Sequence, residues 1–304
     1  MAAVCLALGV LLCAIDSHAG PLRERIEQRR ADRELEGEDA APRRGALPAG
    51  ARLLRDVAYG DDRNQRMDVY IPADVRAAPV LFLVHGGGWR RGDKAHGRLV
   101  DNKLAHWLPA GFIVVSINYR MLPQADVLTQ RDDVVKALAK AQSLAPSWGG
   151  DAARFVLMGH SAGAHLVALV ASAPRDARIA RPWLGSVLLD SGALDVERLM
   201  NERHHGLFDD AFGKNPAFWI ATSPIRRLAA PTPPWLAVCS SRRRQACDQV
   251  GAFAHEVRAT GGRIEELPMD LSHGDVNQEL GADAAYTQRV DDFLRGVGAL
   301  NNRP

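Results

Sequence analysis

Gly159-His160-Ser161-Ala162-Gly163 is a G-x-S-x-G sequence set between a predicted buried strand, "ARFVLM", and a predicted helix, "AGAHLVALVASA". Glycines on both sides of a serine permit a cramped strand-to-helix turn, which lifts the hydroxyl above the edge of a sheet. Ser161 is therefore the candidate nucleophile. The amide of Ala162, at the helix start, is aimed to donate to a developing oxyanion. A second glycine cluster, His85-Gly86-Gly87-Gly88-Trp89, ends an earlier strand. Glycine lets a backbone approach a ligand closely with its N–H groups turned inward, so Gly87 and Gly88 are candidate oxyanion donors beside Ala162. The bland readings are a tight turn with a satisfied serine and an ordinary flexible loop. Both signals falling at predicted strand ends favours chemistry.

The elements that must position these residues alternate between strands and helices from Ala51 onward, which argues for a mostly parallel sheet with helices on both faces. "ARLLRDVAYG" and "QRMDVYIP" read as an opening antiparallel pair around the turn "GDDRN". "PVLFLV", "FIVVSI", "FVLM", "SVLLD", "WLAVC" and "RIEELPM" read as further strands, several of them continuous apolar runs suited to burial on both faces. Residues 126–145 carry apolar side chains at helical spacing, and Asp132 and Asp133 near the start read as solvated charge favoured by the helix dipole. Residues 196–228 leave the alternation and predict short helices and loops, a small lid.

HGGGW, then Asn118-Tyr119-Arg120, then GHSAGAHL resembles the α/β-hydrolase superfamily, and is most similar to the branch of small carboxylesterases, feruloyl-esterase-like and kynurenine-formamidase-like enzymes. The resemblance runs over about residues 57–296. It implies an α/β-hydrolase fold with an eight-stranded, mostly parallel sheet, an acyl-enzyme mechanism, no metal or other cofactor, and a triad ordered serine, acid, histidine. His273, in "DLSHGDVN" between a strand and the terminal helix, stands where the family carries its base. His255 reads as a surface residue and His165 as packing. His204 and His205 fall in the lid, and His85 and His160 flank the site.

The acid is the difficulty. It must hold the imidazole in one tautomer and stabilise the imidazolium. The family places it a few residues beyond the strand that ends here at Cys239, which falls on Arg242, Arg243 and Arg244. Arginine cannot do this work, and a cation beside the ring disfavours the imidazolium. Asp248, the nearest carboxylate downstream, is the first candidate. Asp195 is the alternative acid, because some members supply it one strand earlier. Asp190 and Asp275 are weaker candidates. The arginines read as a solvated loop, or as partners for an acidic group on the substrate. Trp89, Phe208 and Trp219 are candidates for substrate contact, with core packing as the competing reading for each.

The chain has 304 residues, 47% of them hydrophobic and 24% charged, with a net charge of +2. That suits one large α/β domain or two small ones, and the dispersed charge does not suggest nucleic-acid binding. Residues 2–15 are apolar and lead to Ser17-His18-Ala19, so residues 1–19 read as a signal peptide. The run is too short for a stable membrane span. Residues 20–50, dominated by Arg, Glu, Ala, Gly and Pro, read as a charged tether ahead of a hydrolase domain at 51–304. Removal of Cys5 and Cys13 with the signal would leave Cys239 and Cys247, which an oxidising compartment favours joining. The expectation is a periplasmic or secreted serine esterase for small-molecule esters, monomeric by default. The alternatives are a formamidase or amidase of the same fold, and a catalytically dead hydrolase fold acting as a binding protein.

Overall fold

The computed structural model describes residues 45–301. The expected signal peptide, and the expected tether as far as residue 44, lie outside the described residues. Eight strands form one sheet: β1 (Arg52–Ala58), β2 (Arg66–Ile71), β3 (Ala78–Val84), β4 (Ile113–Ile117), β5 (Gly150–His160), β6 (Gly185–Leu189), β7 (Trp235–Ser240) and β8 (Ile264–Met269). Their spatial order is β1-β2-β4-β3-β5-β6-β7-β8. β2 runs antiparallel to both of its neighbours, and every pairing from β4 to β8 is parallel.

The apolar strands bury both faces, as side-chain alternation requires when helices cover each side. Val80, Phe82 and Val84 of β3 join the core packed by α2 (Val127–Leu144) and α3 (Ala162–Ser172). Leu81 and Leu83, between them in sequence, join the opposite core with α1 (Gly97–Trp107) and α9 (Ala284–Gly296). The segment expected to leave the alternation holds three short helices, α4 (Val196–Asn201), α5 (Gly206–Phe212) and α6 (Pro216–Ala221). Each starts on a side-chain cap: Asp195 accepts from the Arg198 amide, His205 from Leu207, and Asn215 from Ala217. α7 (Arg244–Ala259) follows β7, and α8 (His273–Gln278) follows β8.

One carboxylate departs from its sequence reading. Asp132 is exposed, but Asp133 is fully buried. Asp133 accepts from Gln65 Nε2 at 2.7 Å, from the Arg120 amide at 3.0 Å, and from the Arg120 guanidinium at 2.6 and 2.8 Å. Helical periodicity places Asp133 on the inner face, and Arg120 at the end of Asn118-Tyr119-Arg120 supplies its counter-charge. A buried carboxylate needs such partners because its desolvation is otherwise uncompensated. Replacing it should therefore cost more than replacing its neighbour. Asp133→Asn is expected to lower unfolding stability by about 1–3 kcal/mol, and Asp132→Asn to stay within about 0.5 kcal/mol of the parent, both read from urea-unfolding midpoints.

Candidate active site

β5 ends at His160, α3 begins at Ala162, and Ser161 between them has φ +53° and ψ −118°. Such a conformation is strained for a side-chain-bearing residue and must be imposed by its surroundings. The Ser161 amide donates to the Leu189 carbonyl at 2.9 Å, which anchors the turn to the end of β6. Gly163 has no space for a side chain: a Cβ there would lie 2.2 Å from the Val84 carbonyl oxygen. This close approach sets the start of α3 against the end of β3, where Gly87 and Gly88 follow with φ of +100° and +59°. The three expected oxyanion donors thus belong to two adjoining strand ends, β3 and β5, paired in register at Val84 and Gly159.

His273 is the first residue of α8, whose N-cap Ser272 accepts from the Asp275 amide. Its Nε2 lies 2.9 Å from Ser161 Oγ, and its Nδ1 lies 2.6 Å from Asp190 Oδ2. The His160 ring stands 4.6 Å from that of His273, and its Nε2 lies 3.0 Å from the His273 carbonyl. The candidate nucleophile and the candidate base are therefore in contact with each other, and the base with a buried carboxylate.

The acid on His273 is Asp190, which corrects the assignment of Asp248 and the alternative of Asp195. Asp248 is exposed on α7, and the Asp195 side chain is committed to capping α4. Asp275, the other weak candidate, accepts from the Ser272 hydroxyl at 2.6 Å on its own helix. Asp190 is fully buried, with φ +53°. Its amide donates to Val238, and its Oδ1 accepts from the Ser240 amide at 2.8 Å. A sequence signal for it did exist. Asp190 is the first residue beyond β6, as Ser161 is the first beyond β5.

A disulfide joins Cys239 at the end of β7 to Cys247 in the first turn of α7. The enclosed residues do not supply the acid; they hold it. Ser240 binds Oδ1, and Arg243 Nη1 binds Oδ2 at 2.5 Å. The same nitrogen lies 2.6 Å from His273 Nδ1. Burial by itself would raise the Asp190 carboxyl, but the Arg243 charge, His273 and the Ser240 amide hold it well below the usual carboxylate range. Burial pushes the His273 imidazole down to about 4, and the Arg243 charge pushes the same way, against the opposing bond to Asp190.

The expected aromatic contacts divide. Trp89 is only 3% exposed, so packing takes up its side chain. Its indole donates to His165 Nδ1 at 3.2 Å, and its ring packs on Phe212 and Phe208 at 4.9 and 6.0 Å. Phe208 is half-buried. Trp219, also half-buried, donates to the Gly213 carbonyl within the lid segment. A cleft opens beside the triad, lined in part by His85, Gly86, His160, Ser272 and Gly274. Among the described residues no cluster of His, Cys, Asp or Glu has the arrangement to hold a metal ion. No described helix is long and apolar enough to cross a membrane.

The family model BD-FAE matches residues 67–242, more than half of the chain. The probable isoprenylcysteine alpha-carbonyl methylesterase ICME of Oryza sativa subsp. japonica is 34% identical over 170 residues, covering 53% of this chain and 40% of that protein. The isoprenylcysteine alpha-carbonyl methylesterase ICME of Arabidopsis thaliana is 28% identical, with 83% of this chain and 63% of the relative covered. The chain thus spans less than two thirds of these plant relatives. The probable carboxylic ester hydrolase LipM of Mycobacterium tuberculosis is 29% identical, covering 96% of this chain and 73% of the relative. Esterase B from Lactobacillus rhamnosis shares the fold, with a TM-score of 0.69 and 21% identity over 91% of this chain and 93% of that one.

The geometry makes a differential prediction about the acid. With Asp190→Asn, the amide no longer holds Nδ1–H, and Ser161 should react with a fluorophosphonate probe slower by about three to four orders of magnitude. Asp248→Asn and Asp195→Asn should label at close to the parental rate. Intact-mass spectrometry over time reads all three.

Proposed function

The chain belongs to the BD-FAE family of α/β-hydrolase carboxylesterases, and from that premise we propose that it hydrolyses small carboxylic esters through a covalent acyl-enzyme on Ser161. The observation that carries this reading is the continuous relay from Ser161 Oγ through His273 to Asp190. In the proposed reaction, Ser161 attacks the ester carbonyl as His273 Nε2 takes its proton. The oxyanion accepts from the amides of Gly87, Gly88 and Ala162, whose fixed orientation stabilises charge where it develops. The imidazolium then protonates the leaving alkoxide. Water, deprotonated by the same imidazole, releases the acid and restores Ser161.

The relatives, named as an esterase and a probable carboxylic ester hydrolase, support the ester over the amide. The reading of a dead hydrolase fold rested on a missing acid, and Asp190 in contact with His273 removes its motive. We also propose that the protein works outside the reducing cytosol. The apolar run at 2–15 and the Cys239–Cys247 disulfide support this, since such bonds persist in oxidising compartments. The proposed activity is tested with 4-nitrophenyl acetate. The parent should turn it over, and Ser161→Ala should lose about three orders of magnitude or more in kcat. Unchanged turnover in that variant would overturn the acyl-enzyme reading.

A further inference from the structure

Arg243 has no part in the reaction as described above, yet its Nη1 touches both the acid and the base. Its backbone is held on both sides in sequence. The Arg243 amide donates to the Ser240 carbonyl, and the Cys239–Cys247 disulfide closes the short loop around it. The contacts at Nδ1 of His273 are mutually exclusive in hydrogen-bonding terms. If Nδ1 carries the proton, it donates to Asp190, and Nε2 is left to accept from Ser161. If Nδ1 is bare, it accepts from Arg243; Nε2 then carries the hydrogen and cannot take the proton of Ser161. Arginine is a permanent donor, so it cannot replace Asp190. It can orient the carboxylate, and it can oppose a second positive charge on the ring beside it.

We propose that Arg243 is a positioning residue of the triad, which holds the Asp190 carboxylate in line and whose charge keeps His273 neutral, and so competent as a base, in acidic surroundings. The other charged or titratable groups around His273 are already engaged elsewhere. Arg242, next in sequence, pairs outward with Asp270 at 2.8 Å. Asp275, on the same helix as His273, is bound by Ser272. From the α1 side, buried Lys103 turns its Nζ to the Asn277 carbonyl and side chain, at 2.7 and 2.9 Å. From α9, the buried Tyr286 hydroxyl donates to Val276. His160 binds the backbone carbonyl of His273, and its ring, 4.6 Å from that of His273, opposes protonation less than Arg243 does. Asp190 and Arg243 are therefore the charged side chains in direct contact with Nδ1, and they act in opposite directions. The low position of the His273 imidazole agrees with this, because Arg243 opposes protonation second only to burial.

The inference rests on the ester-hydrolase reading only through its kinetic readout. The test compares the parent with Arg243→Gln and Arg243→Met, which remove the charge, and with Arg243→Lys, which keeps a cation. The pH dependence of kcat/KM is measured from pH 3.5 to 8. The parent's acid limb should lie near the imidazole value of about 4. In the two charge-free variants it should move upward by about one unit or more, as expected on losing an adjacent cation. Arg243→Lys should keep the parental limb. Titration of the His273 ring by NMR in the same proteins reads the same shift without turnover, so failure of the proposed reaction would leave this test intact. Charge-free variants that titrate with the parent, or a lysine variant that shifts as far as they do, would overturn the proposal. A uniform loss of kcat without a shift in the limb belongs with the overturning results, because a merely structural arginine would produce it.

Discussion

An ionised carboxylate with no exposure to water holds this active site together. Asp190 sits at 0% exposure, where an unpartnered charge would be lost to protonation or would destabilise the fold. Its ionisation therefore depends on three partners from two other segments of the chain. Ser240 at the end of β7 supplies an amide, Arg243 supplies a guanidinium, and His273 at the start of α8 supplies a ring nitrogen. These bonds are charge-assisted and short, the class whose loss is most costly when the group left behind is buried. The requirement to satisfy one carboxylate fixes the approach of two other segments.

The sheet sets the distances within which this is achieved. β3, β5, β6 and β7 are neighbouring parallel strands, and their C-terminal ends fall together: Val84 opposite Gly159, His160 opposite Leu189, and Leu189 opposite Val238. The ladder continues one residue beyond the strands. The Ser161 amide binds Leu189, and the Asp190 amide binds Val238. Ser161 and Asp190 consequently emerge side by side, each with φ +53°. In an open parallel sheet the crevice beyond the strand ends is the natural ligand site. Here the strained backbone of nucleophile and acid is held by hydrogen bonds to adjacent strands rather than by local sequence.

This division explains what the sequence could reveal. The nucleophile turn and the glycine-rich turn after β3 are local features, so Gly-x-Ser-x-Gly and HGGGW are readable as written. The central strands follow from apolar runs long enough to be buried on both faces, whereas the edge strands β1 and β8 carry charged residues and are more exposed. The acid is different, because its assignment depends on which strand end faces His273. That is a matter of strand order and register; the place of Asp190 directly after an apolar strand marks it as a candidate but does not choose it over the other carboxylates. Asp248 is only one residue beyond Cys247 in sequence, but it sits on the exposed side of α7. Asp133 was hidden in the same way: its partner Arg120 lies on a different segment, so its burial was not legible beside an exposed Asp132. Trp89 looked available from its place in the glycine turn, and the packing of Phe208 and Phe212 over it was invisible to spacing alone.

The three arginines that appeared to contradict a triad have separate fates, and one of them makes its electrostatics coherent. Arg242 pairs at the surface with Asp270, Arg244 opens α7, and Arg243 turns inward to Asp190. Counted over Asp190, Arg243 and His273, the resting site carries no net charge. In the proposed attack by Ser161, one positive charge would appear on the imidazole and one negative charge on the oxyanion, so the sum would again be zero. An aspartate–histidine pair alone would hold a net negative charge in both states, within a buried region that solvates ions poorly. Arg243 thus offsets the burial of the acid while making the imidazolium harder to form. Because its side chain is 36% exposed, water screens part of its charge. That placement lets one cation stabilise a buried carboxylate without silencing the base it serves.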